Sequence, residues 1–204
     1  MSLWERHGFP RLMDWSMRGP EVGRLRAQAL ATAAGDVLEI GFGTGLNLAH
    51  YPAAVRSITA LDPLDALRER VAARIAAVHI PVQRVALSAD GRLPFDDAHF
   101  DCVVTTWTLC SIPDAGAALR EMRRVLRPEG RYLFLEHGLS DEAGVERWQR
   151  RLEPLHKRIA GGCHLTRRID TLIASAGFTL VDCEHWVEAG PRVFSSMVRG
   201  SARP

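Results

Sequence analysis

Apolar residues in this chain form short continuous runs, and between the runs they recur at helical spacing. A continuous apolar run bounded by turn residues is typical of a strand that is buried on both faces. We predict five strands from segments rich in apolar residues, at residues 36–40, 57–61, 82–87, 100–106 and 131–136. Between the second and third strands, Leu67, Val71, Ile75 and Val78 have the spacing of an amphipathic helix. Strands that alternate with helices predict an α/β fold, with a parallel sheet covered by helices on both faces.

A helix is also predicted between the fourth and fifth strands. Asp114 can accept hydrogen bonds from the free N–H groups at its start, and Leu119, Met122 and Leu126 would form its apolar face. Residues 127–130 are predicted as a turn that leads into the fifth strand.

The two ends of the chain depart from this alternation. Residues 1–18 are unusually apolar, with Trp4, Phe9, Leu12, Met13, Trp15 and Met17. A helix on the domain surface and a cap over the active site both explain this segment, and Pro20 then suits the first turn of a helix that runs to about Thr32. Near the carboxyl end we predict helices at 145–160 and 167–176, followed by strands at 178–187 and 192–198. Two consecutive strands joined by four residues predict an antiparallel pair at one edge of the sheet.

The composition, with 47% hydrophobic and 25% charged residues, is that of an ordinary globular domain. A net charge of +2 does not indicate a broad positively charged surface that could bind nucleic acid, so no nucleic-acid partner is predicted. No apolar run approaches the roughly 18 residues of a membrane span, and the amino terminus lacks a signal-peptide core. We therefore predict no membrane span, while peripheral membrane contact and the oligomeric state stay open. The four cysteines show neither metal-ligand spacing nor a disulfide framework, which predicts a reduced, cytoplasmic setting and no metal.

Three glycines follow the first strand at a spacing of two, at Gly41, Gly43 and Gly45. Glycines let the chain turn sharply and approach a ligand closely, and the predicted helix-like stretch from Leu46 would direct its positive end at an anion. The pattern G-x-G-x-G differs from the G-x-G-x-x-G of dinucleotide sites. Glu39 before the loop suits a ligand with an ammonium group, and Asp62, after the second strand, is placed to accept hydrogen bonds from two ribose hydroxyls.

On these five residues the chain resembles the class I S-adenosylmethionine-dependent methyltransferases. The resemblance implies a Rossmann-like, seven-stranded, mostly parallel sheet with an antiparallel edge pair, in a single domain over residues 1–204. Within it, residues 1–33 would form amino-terminal helices or a cap, 36–137 the cofactor-binding core, 145–176 the substrate-side helices and 178–198 the edge strands. The implied cofactor is S-adenosylmethionine. The residues expected to bind it are Glu39, Gly41, Phe42, Gly43, Thr44, Gly45, Asn47, Asp62, Pro63, Ser88, Ala89, Asp90, Thr105, Thr106 and Trp107.

This sequence departs from the pattern of those enzymes at two positions on the adenine side. Phe42 stands where the residue is more often small or cysteine, and one additional residue separates Asp90 from Leu93.

Outside the cofactor motifs, the runs 108–111, 135–138 and 162–167 resemble a narrower branch that includes the methyltransferase-like 7 enzymes. Those enzymes methylate the sulfur of small thiols, so the resemblance implies a small-molecule methyl acceptor and, as first choice, a thiol. The apolar amino-terminal anchor of the animal enzymes is absent here, so their membrane association is not expected to carry over. The implied substrate residues are Trp15, Cys110, Trp148, Cys163 and His164. Each also has a structural explanation, since free cysteines are commonly buried as small apolar residues and tryptophans cover core surface.

His137 is the candidate catalytic residue. It follows the fifth predicted strand, and ligands in open parallel sheets bind beyond the carboxyl ends of the strands. Histidine titrates near neutral pH and can accept a proton from the methyl acceptor. Glu136 should point to the opposite face, so no adjacent Glu–His dyad is expected. A purely structural hydrogen bond from His137 is the competing explanation.

Other functions stay open on the sequence alone. Among methyltransferases, the alternatives are C- or O-methylation of a quinone or phenol and N-methylation of a phospholipid amine. The position of the third glycine disfavours a nicotinamide-dependent oxidoreductase. An enzyme acting on RNA or protein is not supported, because this sequence shows neither an Asn-Pro-Pro-Tyr-type amine-binding motif nor an appended basic domain. The last alternative is a protein that binds the cofactor without catalysing a reaction.

Overall fold

The computed structural model describes residues 8–63, 67–89 and 91–204. The helices are α1 (Phe9–Ser16), α2 (Pro20–Leu30), α3 (Arg68–Ala76), α4 (Ala115–Val125), α5 (Ala143–Ile159) and α6 (Ile169–Ser175). The strands are β1 (Gly35–Ile40), β2 (Val55–Leu61), β3 (Val82–Val85), β4 (Phe100–Thr106), β5 (Leu126–His137), β6 (Thr179–Val187) and β7 (Ser196–Arg203). Two short 3₁₀ turns lie at Leu48–His50 and Arg192–Phe194.

The seven strands form one sheet in the order β3-β2-β1-β4-β5-β7-β6. Strands β1 to β5 pair in parallel, and β7 runs antiparallel to both β5 and β6. This confirms the predicted Rossmann-like sheet with its antiparallel edge pair. The strand order reverses between β1 and β4, where open parallel sheets bind their ligands.

Two apolar layers enclose the sheet. On one face, α4 and α6 contribute Leu119, Met122 and Ile173 to a core that also contains Phe134. On the other face, Leu30 of α2 and Val71 of α3 lie in a second core. The predicted start of α4 is confirmed, because the Asp114 carboxylate accepts a hydrogen bond of 2.8 Å from the N–H of Ala117. No helix of the described segments is long and apolar enough to cross a membrane.

The prediction of a helix after the glycine loop is wrong. Only the 3₁₀ turn Leu48–His50 follows, because the chain has few residues between the loop and β2, and Pro52 lacks the N–H that a helix would need. A long helix dipole therefore does not point into the site. The loop's own N–H groups and side chains provide its polarity.

Several strand boundaries also differ from prediction, and two of the differences are large. Residues 127–130, predicted as a turn, belong to β5, where the pairing shifts from Phe100 with Leu126 to Cys102 with Arg131. The extra residues form an irregularity within β5, and the strand continues through them. The last strand starts at Ser196 and not at Arg192, because the 3₁₀ turn occupies the predicted start. His137 is consequently the last residue of β5, paired with Met197.

Candidate active site

A cavity of about 530 Å³ lies at the carboxyl ends of β1, β2, β4 and β5. Small-molecule sites are typically about 300–1,000 Å³ and mostly apolar, with a few polar groups that fix the ligand. Most of the predicted site residues line this cavity. They are Glu39, Gly41, Phe42, Gly43, Thr44, Asp62, Pro63, Ser88, Ala89, Thr106, Trp107, Cys110, His137 and Cys163.

The glycine loop forms one wall of the cavity. Gly41 has a φ of +75°, and a Cβ atom there would lie 2.0 Å from Oγ1 of Thr108, so only glycine fits. Beside Gly43 the space is open, since a Cβ atom would meet nothing nearer than the Gly41 carbonyl oxygen at 3.9 Å. The N–H of Gly43 donates a hydrogen bond of 2.7 Å to Oδ2 of Asp62. Asp62 therefore supports the loop as well as lining the cavity.

A buried polar network lies beneath the glycine loop and is centred on Glu39. The Glu39 carboxylate accepts hydrogen bonds from Nδ2 of Asn47 at 2.9 Å and from the hydroxyl of Tyr51 at 2.7 Å. Asn47 in turn accepts a hydrogen bond of 2.6 Å from the guanidinium of Arg26. Burial raises the pKa of Glu39 to about 7, although the hydrogen bonds from Tyr51 and Asn47 and the charge of Arg26 oppose the shift.

Arg26 on α2 places a buried positive charge at the edge of the cavity. It donates a hydrogen bond of 3.2 Å to Oγ1 of Thr106, and its guanidinium lies 4.7 Å from the ring centre of Trp107. Within the described segments its Nε atom is buried and has no hydrogen-bond partner. Burial lowers the pKa of Arg26 to about 10, so the group stays charged at neutral pH. The Trp107 backbone has a φ of +51°, which is strained for a residue with a side chain.

Helix α1 covers the glycine loop and contributes an acidic residue. Asp14 is buried and accepts hydrogen bonds from the hydroxyl of Thr44 at 2.7 Å, from Arg74 at 2.6 Å and from Arg70. Burial alone would raise the pKa of Asp14, but these hydrogen bonds outweigh it and lower the pKa to about 2. The ion pairs fix α1 against the loop, and Met13 and Met17 of the same segment line the cavity.

The cavity ends in a cluster of two cysteines and a histidine. A ring nitrogen of His137 and the Sγ atoms of Cys110 and Cys163 all lie within 4.8 Å of one another. Both cysteines are buried, and His137 is partly buried. We call one part of the lining the acceptor end, namely Trp107, Thr108, Cys110, Ser111, Ile112, Pro113, His137, His156, Ala160, Gly161 and Cys163.

Glu136 holds the turn that carries Cys110. Its buried carboxylate accepts hydrogen bonds from the main-chain N–H groups of Thr108 at 2.9 Å, Leu109 at 3.0 Å and Cys110 at 3.4 Å. Burial raises the pKa of Glu136, and the N–H groups of Leu109 and Cys110 oppose the shift. The carboxylate of Glu136 is thus engaged by the main chain of this turn.

Six of the predicted site residues that the structure describes do not line the cavity. Trp15 and Trp148 are 70% and 54% exposed. Nδ1 of His164 lies 3.2 Å from the carboxylate of Glu153, and the Thr105 hydroxyl lies 2.8 Å from that of Tyr132. Asn47 donates a hydrogen bond to the carboxylate of Glu39, which does line the cavity. Gly45 shapes the loop with a φ of +77°, and Asp90 lies outside the described residues.

Sequence reasoning missed Arg26 and Asp14. Arg26 lies on the buried face of α2 with Leu25, Ala29 and Leu30, so a charge within an apolar helical stripe was the available signal. Asp14 similarly interrupts the apolar first segment. Neither pattern identifies a partner, because the groups that pair with these charges come from distant parts of the chain.

Comparisons with known proteins identify the family. The family described as a methyltransferase domain matches residues 38–134. Thiol S-methyltransferase TMT1B of Rattus norvegicus is 34% identical over 173 residues, which cover 80% of this chain and 70% of the relative. Its human counterpart is 33% identical over 184 residues, with coverages of 84% and 75%. The chain belongs to the class I S-adenosylmethionine-dependent methyltransferases.

The cofactor of this methyltransferase is therefore S-adenosylmethionine. The fold matches that of the N-methyltransferase NodS of Bradyrhizobium japonicum, solved with S-adenosylhomocysteine, with a TM-score of 0.69 and 17% identity over 93% of this chain and 90% of NodS. Other relatives act on different acceptors. One is a phosphatidylethanolamine N-methyltransferase of Cereibacter sphaeroides, which is 31% identical over 138 residues, covering 65% of this chain and 68% of the relative.

The polar groups of the cavity fit this cofactor. The buried Nε of Arg26 offers a donor for a carboxylate, and Glu39 offers a negative charge for an ammonium group. The open space beside Gly43 admits a ligand against the loop backbone. Asp62 lines the wall beyond β2, where a ribose would be recognised.

The substitution Asp62→Asn tests the ribose assignment. Asparagine keeps an oxygen that can accept the hydrogen bond from Gly43, but it loses the charge. Hydrogen bonds to a charged group contribute roughly 1.5–3 kcal/mol each, against about 0.5–1.5 kcal/mol for neutral ones. We expect the affinity for S-adenosylhomocysteine, measured by calorimetry, to fall at least tenfold while the unfolding temperature of the cofactor-free protein barely changes. Unchanged affinity would contradict a role for Asp62 in cofactor binding.

The substitution Glu39→Gln tests the buried carboxyl. Because the folded-state pKa is raised from 4.5 to about 7, the folded protein binds more protons than the unfolded chain between these values. The wild type should lose stability as the pH rises through this window, whereas the neutral glutamine should not. We expect urea unfolding to show the variant gaining on the order of 1–3 kcal/mol relative to wild type between pH 4.5 and 8. The exposed Glu129→Gln is the control, and an equal difference at all pH values would refute the assignment.

Proposed function

We propose that this methyltransferase transfers a methyl group to the sulfur atom of a small apolar thiol. The observation that carries the proposal is the composition of the acceptor end, where Cys110, His137 and Cys163 adjoin apolar groups such as Ile112 and Pro113. None of the described residues that line this end carries a carboxylate. The acidic residues of the cavity, Asp14, Glu39 and Asp62, belong to the loop and cofactor side.

The lack of a carboxylate at the acceptor end favours a thiol over the alternative acceptors. A phenol has a pKa near 10 and needs a strong base, whereas a free thiol has a pKa of about 8.5 and ionises appreciably near neutral pH. A phospholipid amine would place a cationic head group at this end with no described carboxylate to pair with it. The names of the rat and human relatives support the same choice.

Bound S-adenosylmethionine supplies a methyl group that its positively charged sulfonium already activates. The chain's own residues then have to hold, align and dehydrate the reactants. Arg26 and Glu39 are placed to bind the charged end of the cofactor, and the Arg26 guanidinium lies 4.7 Å from the ring centre of Trp107, the first residue of the acceptor end. Helix α1, held by Asp14, covers the loop side and excludes water there.

His137 is the candidate acceptor of the thiol proton. Its ring lines the cavity beside the position that an acceptor would take, and the imidazole can hold a proton at a ring nitrogen while the sulfur reacts. The general-base role stays a hypothesis that depends on this placement.

A series of small thiols of different acidity tests the proposed function. If ionisation of the acceptor limits the reaction, kcat/KM should rise with pH and level off near the pKa of each thiol, so the profile should shift from thiol to thiol. Product formation would be followed by mass spectrometry with labelled S-adenosylmethionine. Methylation of a quinone, phenol or amine together with no turnover of any thiol would refute the proposal.

The substitution His137→Gln tests proton transfer. Glutamine keeps a hydrogen-bonding group but cannot accept a proton, and general-base help is typically worth about 10²–10⁴ in rate. We expect turnover of a thiol at neutral pH to fall at least a hundredfold, with S-adenosylhomocysteine affinity and unfolding temperature nearly unchanged. The matched control is His79→Gln, at an exposed position in the loop between α3 and β3. Retained activity, or joint loss of activity and stability, would assign His137 a structural role.

A further inference from the structure

We propose that Cys110, His137 and Cys163 form a binding site for one zinc ion, with a fourth coordination position open to the cavity. The two sulfur atoms and the ring nitrogen already lie within 4.8 Å of one another. Two sulfur ligands at about 2.3 Å from a tetrahedral zinc ion are roughly 3.8 Å apart. Side-chain adjustments of about 1 Å or less would therefore bring the three atoms to coordination distance.

The main chain holds the three ligands in place, although they come from three separate segments. Cys110 lies in the turn that Glu136 fixes through three N–H groups, and His137 is the next residue after Glu136. The segment of Cys163 is tied to this turn by a hydrogen bond of 2.9 Å from the N–H of His164 to the carbonyl oxygen of Cys110. A site whose ligands are fixed by the fold needs little reorganisation on metal binding.

Two cysteine sulfurs and an imidazole nitrogen are a ligand set that selects thiophilic cations. Soft sulfur ligands favour zinc over magnesium or calcium, which prefer oxygen. Two thiolates would neutralise the charge of the zinc ion, as a site with two buried ligands requires. Arg167 adds a positive charge near both cysteines and is held by hydrogen bonds to the carbonyl oxygens of Leu109 at 2.5 Å and Pro113 at 3.1 Å.

Three protein ligands and one open position are the arrangement of catalytic zinc sites, whereas structural sites have four. All three residues line the cavity at the acceptor end, so the open position faces the space proposed for the acceptor. An acceptor thiol would bind there as the thiolate and release its proton to water. This last role rests on the proposed function, whereas zinc binding itself does not.

Zinc binding would change the task of His137. As a ligand it could not accept the thiol proton, because its coordinating nitrogen lone pair would be used by the metal. The zinc ion would then promote ionisation of the thiol, and His137 would act as the general base only in the metal-free protein.

The experiment uses the full chain, reduced and stripped of metal, and titrates it with Zn²⁺ in competition with a chromophoric chelator. We expect one zinc ion per chain, and Co²⁺ in its place should give sulfur-to-cobalt charge transfer and the absorption of a tetrahedral site. We expect Zn²⁺ binding to weaken by roughly a hundredfold or more in each of the variants Cys110→Ser, Cys163→Ser and His137→Gln. Loss of a group that only hydrogen-bonds to a metal ligand typically costs less, about 10- to 100-fold. Cys183→Ser, on the exposed strand β6, is the matched control and should bind as wild type.

Adding 1-propanethiol to the Co²⁺ protein tests the open position. The thiol should shift the cobalt absorption, and 1-propanol of the same shape should not. Failure of Co²⁺ to give charge transfer, or equal weakening by Cys183→Ser, would overturn the site. A spectrum that 1-propanethiol leaves unchanged would overturn the open position.

Activity assays separate this inference from the proposed function. Thiol methylation that does not change when zinc is removed would refute the activating role while leaving the proposed function intact. Zinc binding in a protein that methylates no thiol would refute the proposed function and leave the site. Unfolding curves of each variant, recorded without metal, identify any loss of binding that comes from loss of the fold.

Discussion

A carboxylate buried in a sheet must accept hydrogen bonds, and the two buried at the carboxyl edge of this sheet do so from the loops that form the cavity. Glu39, near the end of β1, binds Asn47 and Tyr51 beneath the glycine loop. Glu136, near the end of β5, binds three consecutive N–H groups of the turn that carries Cys110. The first carboxylate organises the cofactor side of the cavity and the second organises the acceptor end. Each loop therefore depends on a charge that the sheet itself holds in position.

The charged groups of the cavity lie apart from its sulfur and imidazole groups, and the two parts have different chemical tasks. Charged groups are concentrated on the glycine-loop side of the cavity, where the cofactor is expected to bind, and each forms hydrogen bonds with neutral groups there, such as Asn47, the Gly43 N–H and the Thr44 hydroxyl. The acceptor end has sulfur, imidazole and apolar groups. Because the cofactor already carries an activated methyl group, an enzyme of this kind needs mainly alignment, exclusion of water and an ionised acceptor. An apolar acceptor end with two cysteines and a histidine is suited to a sulfur nucleophile and, on our further inference, to a zinc ion that would ionise it.

Local patterns were sufficient for most of the fold. The parallel strands were predicted because strands in a sheet covered on both faces are rich in apolar residues, although β3, at the edge, is only partly buried. Asp114 was correctly predicted to start α4, since capping involves only neighbouring residues. Two of the errors have different causes. The glycine loop is followed by a 3₁₀ turn and not a helix because Pro52 and β2 come soon after it, whereas residues 127–130 remain in β5 because β4 pairs on both sides of the irregularity.

The sequence by itself determined the fold class, the family and the type of cofactor, because the glycine loop and Asp62 are short motifs whose spacing carries the information. It also nominated His137 from its place at a strand end. Only the tertiary structure placed Arg26 and Asp14 at the cavity and moved Trp15 and Trp148 to the surface. It alone brought Cys110, His137 and Cys163 within 4.8 Å of one another. These three residues lie far apart in the chain, so no local spacing predicts the cluster. Cys110 and His137 come together because β4 and β5 are parallel neighbours, and Cys163 joins them because the loop after α5 is hydrogen-bonded to the turn of Cys110.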